Sequence, residues 1–171
     1  GTDSEAYRFL GAHRAQRGGE AGYLFRLWAP NAARVSVVGD FCGWDAGAFP
    51  MARGEHGLWE KFIPGLKQFD TYKYAVTSAR GKTVLKADPY AFHAETRPGT
   101  ASKLYDLPPY RWGDGAWRAS RASAPVDRSP LNIYEVHLGS WRRRENGDFY
   151  DYRSLAHDLA DYVAGLGYNC V

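Results

Sequence analysis

Apolar and polar residues alternate with a period of two through much of the first half of this chain. In 33–38, Val35 and Val37 alternate with Arg34 and Ser36, the signature of a strand with one buried and one wet face. Pro30 and Asn31 supply the turn before it, because proline fixes its own φ and steers its predecessor away from helix. Ahead of that turn, Tyr23, Phe25 and Leu27 alternate with Leu24, Arg26 and Trp28, a strand buried on one side and partly covered on the other. Gly39 and Gly43 then bracket a loop presenting Phe41, Trp44 and Asp45. Residues 45–57 are turn-rich, 58–63 resume a β-like pattern, and 71–77 form the clearest strand, with Tyr72, Tyr74 and Val76 opposite Lys73, Ala75 and Thr77. Arg80-Gly81-Lys82 turns into a strand over 83–87 that Asp88-Pro89 stops. Five or six short strands with no helical pattern between them predict an antiparallel sandwich. Residues 1–20 are polar and show no sustained periodicity, so they are expected to be an N-terminal extension outside a sandwich spanning 21–110.

The character changes between Pro89 and Pro130. Pro and Gly recur, Tyr105, Tyr110, Trp112 and Trp117 punctuate the stretch, and periodicity is weak, which predicts a wrapped connector pinned by aromatics, assigned to 111–130. From 131 onward the pattern is that of an α/β unit. Asn132–Leu138 reads as a strand, and Tyr152, Leu155, Leu159, Tyr162, Val163 and Leu166 recur at helical spacing. Asp151 is placed to cap that helix and Gly165 and Gly167 to end it. Tyr168–Val171 starts another strand. Two parallel strands and one helix cannot bury their own faces, so 131–171 is expected to be the truncated opening of a larger domain.

Composition narrows the classes. With 44% apolar and 24% charged residues, the chain is that of a globular protein. Its net charge of +3 is spread out except for Arg142–Arg144, which argues against nucleic acid as a partner. No apolar run approaches the length of a membrane span. Cys42 and Cys170 lie far apart, which points to free thiols and a cytoplasmic setting. The five histidines have no metal-ligand spacing and no glycine-rich phosphate loop opens a helix, so neither metal nor cofactor is expected. Aromatic residues make up 15% of the chain, more than a small core requires. Surface rings suit either sugar faces or a protein partner.

The stretches LGAH (10–13), FRLWAPNAARVSVVGDFCGWD (25–45), ADPYAF (87–92), RPGTASKLYDL (97–107) and IYEVHLGSWRR (133–143) resemble the amino-terminal portion of glycogen (1,4-α-glucan) branching enzymes of glycoside hydrolase family 13. The resemblance implies a mainly β fold: a carbohydrate-binding module of family 48, built as an immunoglobulin-like β-sandwich, followed by the first strand-helix unit of an incomplete catalytic (β/α)8 barrel. Asn132–Gly139 would be barrel strand one, Asp151–Leu166 its helix, and Tyr168–Val171 the start of strand two. The family's catalytic Asp, Glu and Asp follow later barrel strands, so no catalytic residue is expected here. Trp44 and Lys73 match the residues that line a sugar groove in glycogen-binding relatives, whereas a second groove Trp has no counterpart near Lys82–Leu85. Cys42 stands where the loop commonly has asparagine.

Each candidate also has a plainer reading. Trp44 can stack on a glucose ring or fold back as a lid, and Lys73 can donate to sugar hydroxyls or simply face solvent. Trp28 and Trp59 are expected to pack. Glu135 and His137 share a strand face by period two and are expected to be structural or supporting barrel residues, and Glu135 with Asp148 makes no convincing catalytic pair. The expected partners are α-glucan (glycogen or maltooligosaccharides) and the remainder of the catalytic barrel. In the whole enzyme an α-1,4 linkage would be cut and an α-1,6 branch formed, with this fragment inactive. A stand-alone glycogen-binding regulatory module and a protein-interaction sandwich are the alternatives.

Overall fold

A computed structural model describes residues 3–124 and 128–171, which divide into two compact units, the first ending at Tyr110 and the second beginning at Arg111. The first unit holds two antiparallel sheets. Sheet one has the order β1 (Gly11–Arg17), β2 (Glu20–Trp28), β5 (Leu58–Pro64), β4 (Ala52–Arg53). Sheet two runs β3 (Ala32–Gly39), β6 (Thr71–Ser78), β9 (Ser102–Lys103), β8 (His93–Ala94), and β7 (Thr83–Lys86) also pairs with β6. Tyr23, Phe25 and Leu27 of β2 and Trp59 and Ile63 of β5 share one buried cluster with Val35 and Val37 of β3 and Tyr72 and Tyr74 of β6. The period-two residues read from the sequence are thus the ones that meet between the sheets.

Three expectations for this unit are corrected. Residues 11–17 are not an extension: they pair with β2 along their whole length. The signal was Gly18-Gly19, whose left-handed φ values of 59° and 85° make the tight hairpin turn that suits two twisted strands. Ser36 is not wet. The chain after the Trp44 loop returns along β3, with Val37 N–H donating to Phe49 O and Met51 N–H to Val35 O, and this covers Ser36. Trp59 is buried and donates its indole N–H to Ala29 O, but Trp28 is 62% exposed on the outside of sheet one and donates to His56 O.

Asp88 is the one carboxylate among the buried side chains of the described residues. Asp88, at the end of β7, accepts hydrogen bonds at Oδ2 from the hydroxyls of Tyr72 (2.7 Å) and Tyr74 (3.1 Å) and at Oδ1 from Tyr90 N–H (2.8 Å). Its own N–H donates to Ser102 Oγ. The largely buried carboxylate therefore ties β6, β7 and β9 together.

In the second unit, α1 (Gly115–Ser123) occupies part of the stretch expected to be an irregular connector. The rest of that expectation includes 125–127, which lie outside the described residues. Asn132–Gly139 is not a strand. Ile133 makes a single parallel bridge to Cys170, and α2 (Leu138–Trp141) begins where the strand would have continued. The N–H groups of Ser140 and Trp141 both turn back to His137 O, and Ser140 Oγ meets His137 Nδ1, a local network that competes with extension. The helix α3 (Tyr152–Gly165) lies where its periodicity places it. Asp151 Oδ1 accepts from Ser154 N–H as its N-cap, and Leu155, Leu159 and Val163 are its buried stripe.

Replacing Asp88 with alanine leaves two buried tyrosine hydroxyls without an acceptor and is expected to cost about 3 kcal/mol in denaturant unfolding. Burial is the first cause that raises the Asp88 carboxyl above its usual 3.8, with the Tyr72, Tyr90 and Tyr74 hydrogen bonds pulling the other way. The folded state thus keeps this proton to higher pH than the unfolded chain does. Stability from this group is fullest below 3.8 and declines as pH rises through the folded value. Unfolding measured against pH is expected to lose that component in Asp88→Asn.

Candidate glucan-binding face

The GDFCGWD loop leaves β3 at Gly39, where the backbone passes so close to β6 that a Cβ would sit 2.2 Å from Thr71 O. That approach brings Asp40 beside Thr71. Asp40 Oδ2 accepts from the Thr71 hydroxyl, and Oδ1 accepts from the Trp44 indole N–H at 2.8 Å. These two hydrogen bonds, Thr71 first, hold the Asp40 carboxyl below the usual aspartate range. Trp44 itself has φ 64°, a left-handed conformation unusual for a bulky residue, and its N–H donates to Gly39 O. Phe41 and Phe49 close the base of the loop, their ring centroids 5.7 Å apart. Cys42 turns inward, its thiol donating to Gly39 O at 3.4 Å, so it gives its own loop a weak version of the bond an asparagine amide would supply.

Thr71 and Lys73 project from the same side of β6, opposite the buried Tyr72 and Tyr74. Lys73 Nζ donates to Thr100 Oγ1 at 2.6 Å. Trp44 is half-buried, so it neither stands free nor lies wholly over the sandwich end. The structure therefore brings Trp44 and Lys73 to one face through Asp40 and Thr71, and adds Thr100 to it. Period two placed Thr71 beside Lys73, and Asp40 stands four residues before Trp44. Thr100 comes from 27 residues away, and no local pattern could have found it.

The positions singled out in the second unit are arranged otherwise. Glu135 and His137 are both exposed, and His137 is engaged with Ser140. Asp148 is tied to Asn146 in the turn after α2. Each arginine of 142–144 lies over a ring: Arg142 on Trp141, Arg143 on Phe149 and Arg144 on Tyr150. Arg142 also pairs with Asp158 and Arg144 with Asp151. Among the described residues, no helix is long and apolar enough to cross a membrane.

Residues 9–91 match carbohydrate-binding module 48 (isoamylase N-terminal domain). The chain is 52% identical over its whole length to the 1,4-alpha-glucan branching enzyme GlgB of Rubrobacter xylanophilus, covering 24% of that protein. It is 47% identical over its whole length to that of Halothermothrix orenii, covering 27%. It thus spans about a quarter of the length of these relatives. Among solved structures, 93% of the chain superposes on 18% of a multi-modular glycogen-degrading pneumococcal virulence factor, SpuA, at TM-score 0.60 and 22% identity. A pullulanase from Paenibacillus barengoltzii gives TM-score 0.55 at 22% identity, over 98% of this chain and 28% of that one. At such identity these two speak for the fold alone. Residues 9–91 thus match carbohydrate-binding module 48, and the whole chain is similar to about a quarter of the length of 1,4-alpha-glucan branching enzymes.

Proposed function

We propose that this chain is the glucan-holding front of a branching enzyme, and that its immunoglobulin-like first unit binds α-1,4-linked chains through Trp44 and Lys73. The observation that carries the reading is the linkage Trp44–Asp40–Thr71, with Lys73 and Thr100 beside it, on one face of a carbohydrate-binding module. Asp40 fixes the indole edge, which leaves a ring face for the C–H surface of a pyranose. Lys73 and Thr100 supply the donors and acceptors that sugar hydroxyls need. Cutting an α-1,4 bond and forming an α-1,6 branch is assigned to parts of the enzyme beyond this stretch, and the 171-residue chain is expected to be inactive in transfer. The parallel bridge Ile133–Cys170 with α3 between its partners supports 131–171 as the opening of the barrel. Two free cysteines fit a cytoplasmic enzyme.

A second role has its own observation. Trp28 and Phe9 are exposed on the outer side of sheet one, where Phe9 lies 4.2 Å from the Arg26 guanidinium carbon. Such a face suits bracing against the barrel, and it leaves sheet two for sugar.

Titration with maltoheptaose, followed by tryptophan fluorescence and amide spectra, tests the main reading. Trp44→Ala is expected to weaken binding at least about three- to tenfold, the worth of one ring contact. Lys73→Ala is expected to weaken it less, and unchanged affinity in Trp44→Ala would end the proposal. Leu85 lies on the outer side of β7 opposite Ala75, half exposed. Leu85→Trp is therefore expected to supply a second ring and tighten binding by a similar factor. The Asp40 carboxyl, held below 3.8, keeps its charge and its grip on the indole as the pH falls through that value. Affinity is accordingly expected to persist through 3.8 and to drop only below it, as read in the same titration at stepped pH.

A further inference from the structure

The outer face of sheet two continues past Lys73. Thr71 of β6 stands opposite Lys103 of β9, and Lys103 stands opposite His93 of β8, so the three side chains form one file across the sheet. At the far end of that file His93 meets two more rings. Its centroid is 5.5 Å from that of Phe69 and 5.5 Å from that of Tyr105, and Phe69 and Tyr105 are 5.8 Å apart. Phe69 is 51% exposed and lies outside the core cluster. Its φ of 75° is the second left-handed aromatic on this face after Trp44. The Lys103 ammonium has no hydrogen-bonding or ionic partner among the described residues, which leaves its donors for a ligand.

We propose that Phe69, His93 and Tyr105 form a second sugar-contacting station that takes a further stretch of the same α-glucan chain, reached from Lys73 across Thr71 and Lys103. This rests on the reading of Trp44 and Lys73 as glucan contacts. Two strand spacings separate β6 from His93 by about 10 Å, and one pleat repeat separates Lys73 from Thr71 by about 7 Å. A single pyranose cannot touch both stations. The second one therefore adds contact only for a chain long enough to cross the file, so affinity rises with glucan length. Tilted and edge-on ring contacts within the trio leave the outer face of Phe69 open to a sugar, and the file of Thr71 and Lys103 supplies hydroxyl and ammonium groups along the way.

Calorimetric titration of the 171-residue chain with maltotriose and with maltoheptaose decides it, using the unsubstituted protein, Trp44→Ala, Phe69→Ala and His93→Ala. Maltoheptaose is expected to bind the unsubstituted chain about three- to tenfold more tightly than maltotriose. Phe69→Ala and His93→Ala are expected to remove that gain and leave maltotriose affinity unchanged, while Trp44→Ala weakens both sugars. His93 is exposed on a two-residue strand, so its variant decides the matter if Phe69→Ala fails to fold. Should both folded variants, or His93→Ala alone in that event, keep the full length dependence, the second station is wrong and the Trp44 reading stands. Should the unsubstituted chain bind neither sugar, both readings fall.

Discussion

The hydroxyls of Tyr72 and Tyr74 end on one carboxylate oxygen of Asp88, and that shared acceptor fixes the phase of β6. In a strand, a slip of one residue exchanges the two faces. With Tyr72 and Tyr74 held inward, Thr71 and Lys73 can only point outward, and every polar feature of the candidate face follows from that choice. Thr71 then meets Asp40, Asp40 holds the Trp44 indole, and Lys73 reaches Thr100. A buried carboxylate is an expensive way to pin a strand, since burial works against its charge. The cost is offset by three hydrogen bonds to the carboxylate. The reward is a register that apolar contacts, which tolerate sliding, would specify less sharply.

β6 is also the strand with most neighbours. It pairs with β3 along one edge and with both β7 and β9 along the other. Because Asp88 N–H also donates to Ser102 Oγ, the group that sets the phase of β6 sets where β9 lies against it. The short strands β8 and β9 carry almost no apolar content of their own and would not hold a position by burial. Their place beside Thr71 comes from backbone pairing, from Ser102 and from Glu95, whose carboxylate accepts from Ala101 N–H at 2.7 Å. The loop that presents Thr100 is thus located largely by polar bonds, with Ala101 and Leu104 buried on either side of β9.

That division explains what could be read in the sequence. Strands whose alternation is apolar on one side, such as β2, β3 and β6, are legible because burial writes itself into period two. The same logic found α3, whose buried stripe of Leu155, Leu159 and Val163 is helical in period. β1 was missed because its outward side carries His13, Ala15 and Arg17 and its inward side offers mainly Ala12, so neither face looks apolar. Only the Gly18-Gly19 turn announces it. β8 and β9 are two residues each and leave no periodic trace at all. Trp44 and Lys73 were visible as residue types in a recognisable pattern, but Thr100 was not, since a contact across 27 residues is made by topology. Residues 132–139 were misread for a different reason: Ile133, Val136 and Leu138 fit a strand, yet His137 and Ser140 use their side chains locally and turn the backbone into α2.

Trp44 and Phe69 both hold large rings at left-handed φ, a conformation that costs such residues of order 1 kcal/mol or more. In the interior this strain would be repaid by burial, but Phe69 is half exposed and Trp44 is only half-buried. What the backbone obtains is direction, since each ring leaves its loop at an angle an extended residue would not give. One ring on a solvent-facing sheet binds a sugar weakly, because the face of a pyranose offers little area. A polymer changes the arithmetic. If one stretch of chain rests on Trp44 as proposed, the next stretch would meet its contacts as an intramolecular event at high local concentration, and modest contacts would multiply into useful affinity. On the proposed reading, a file of polar side chains between two ring-bearing loops suits a linear ligand, and a compact one would leave half of it idle.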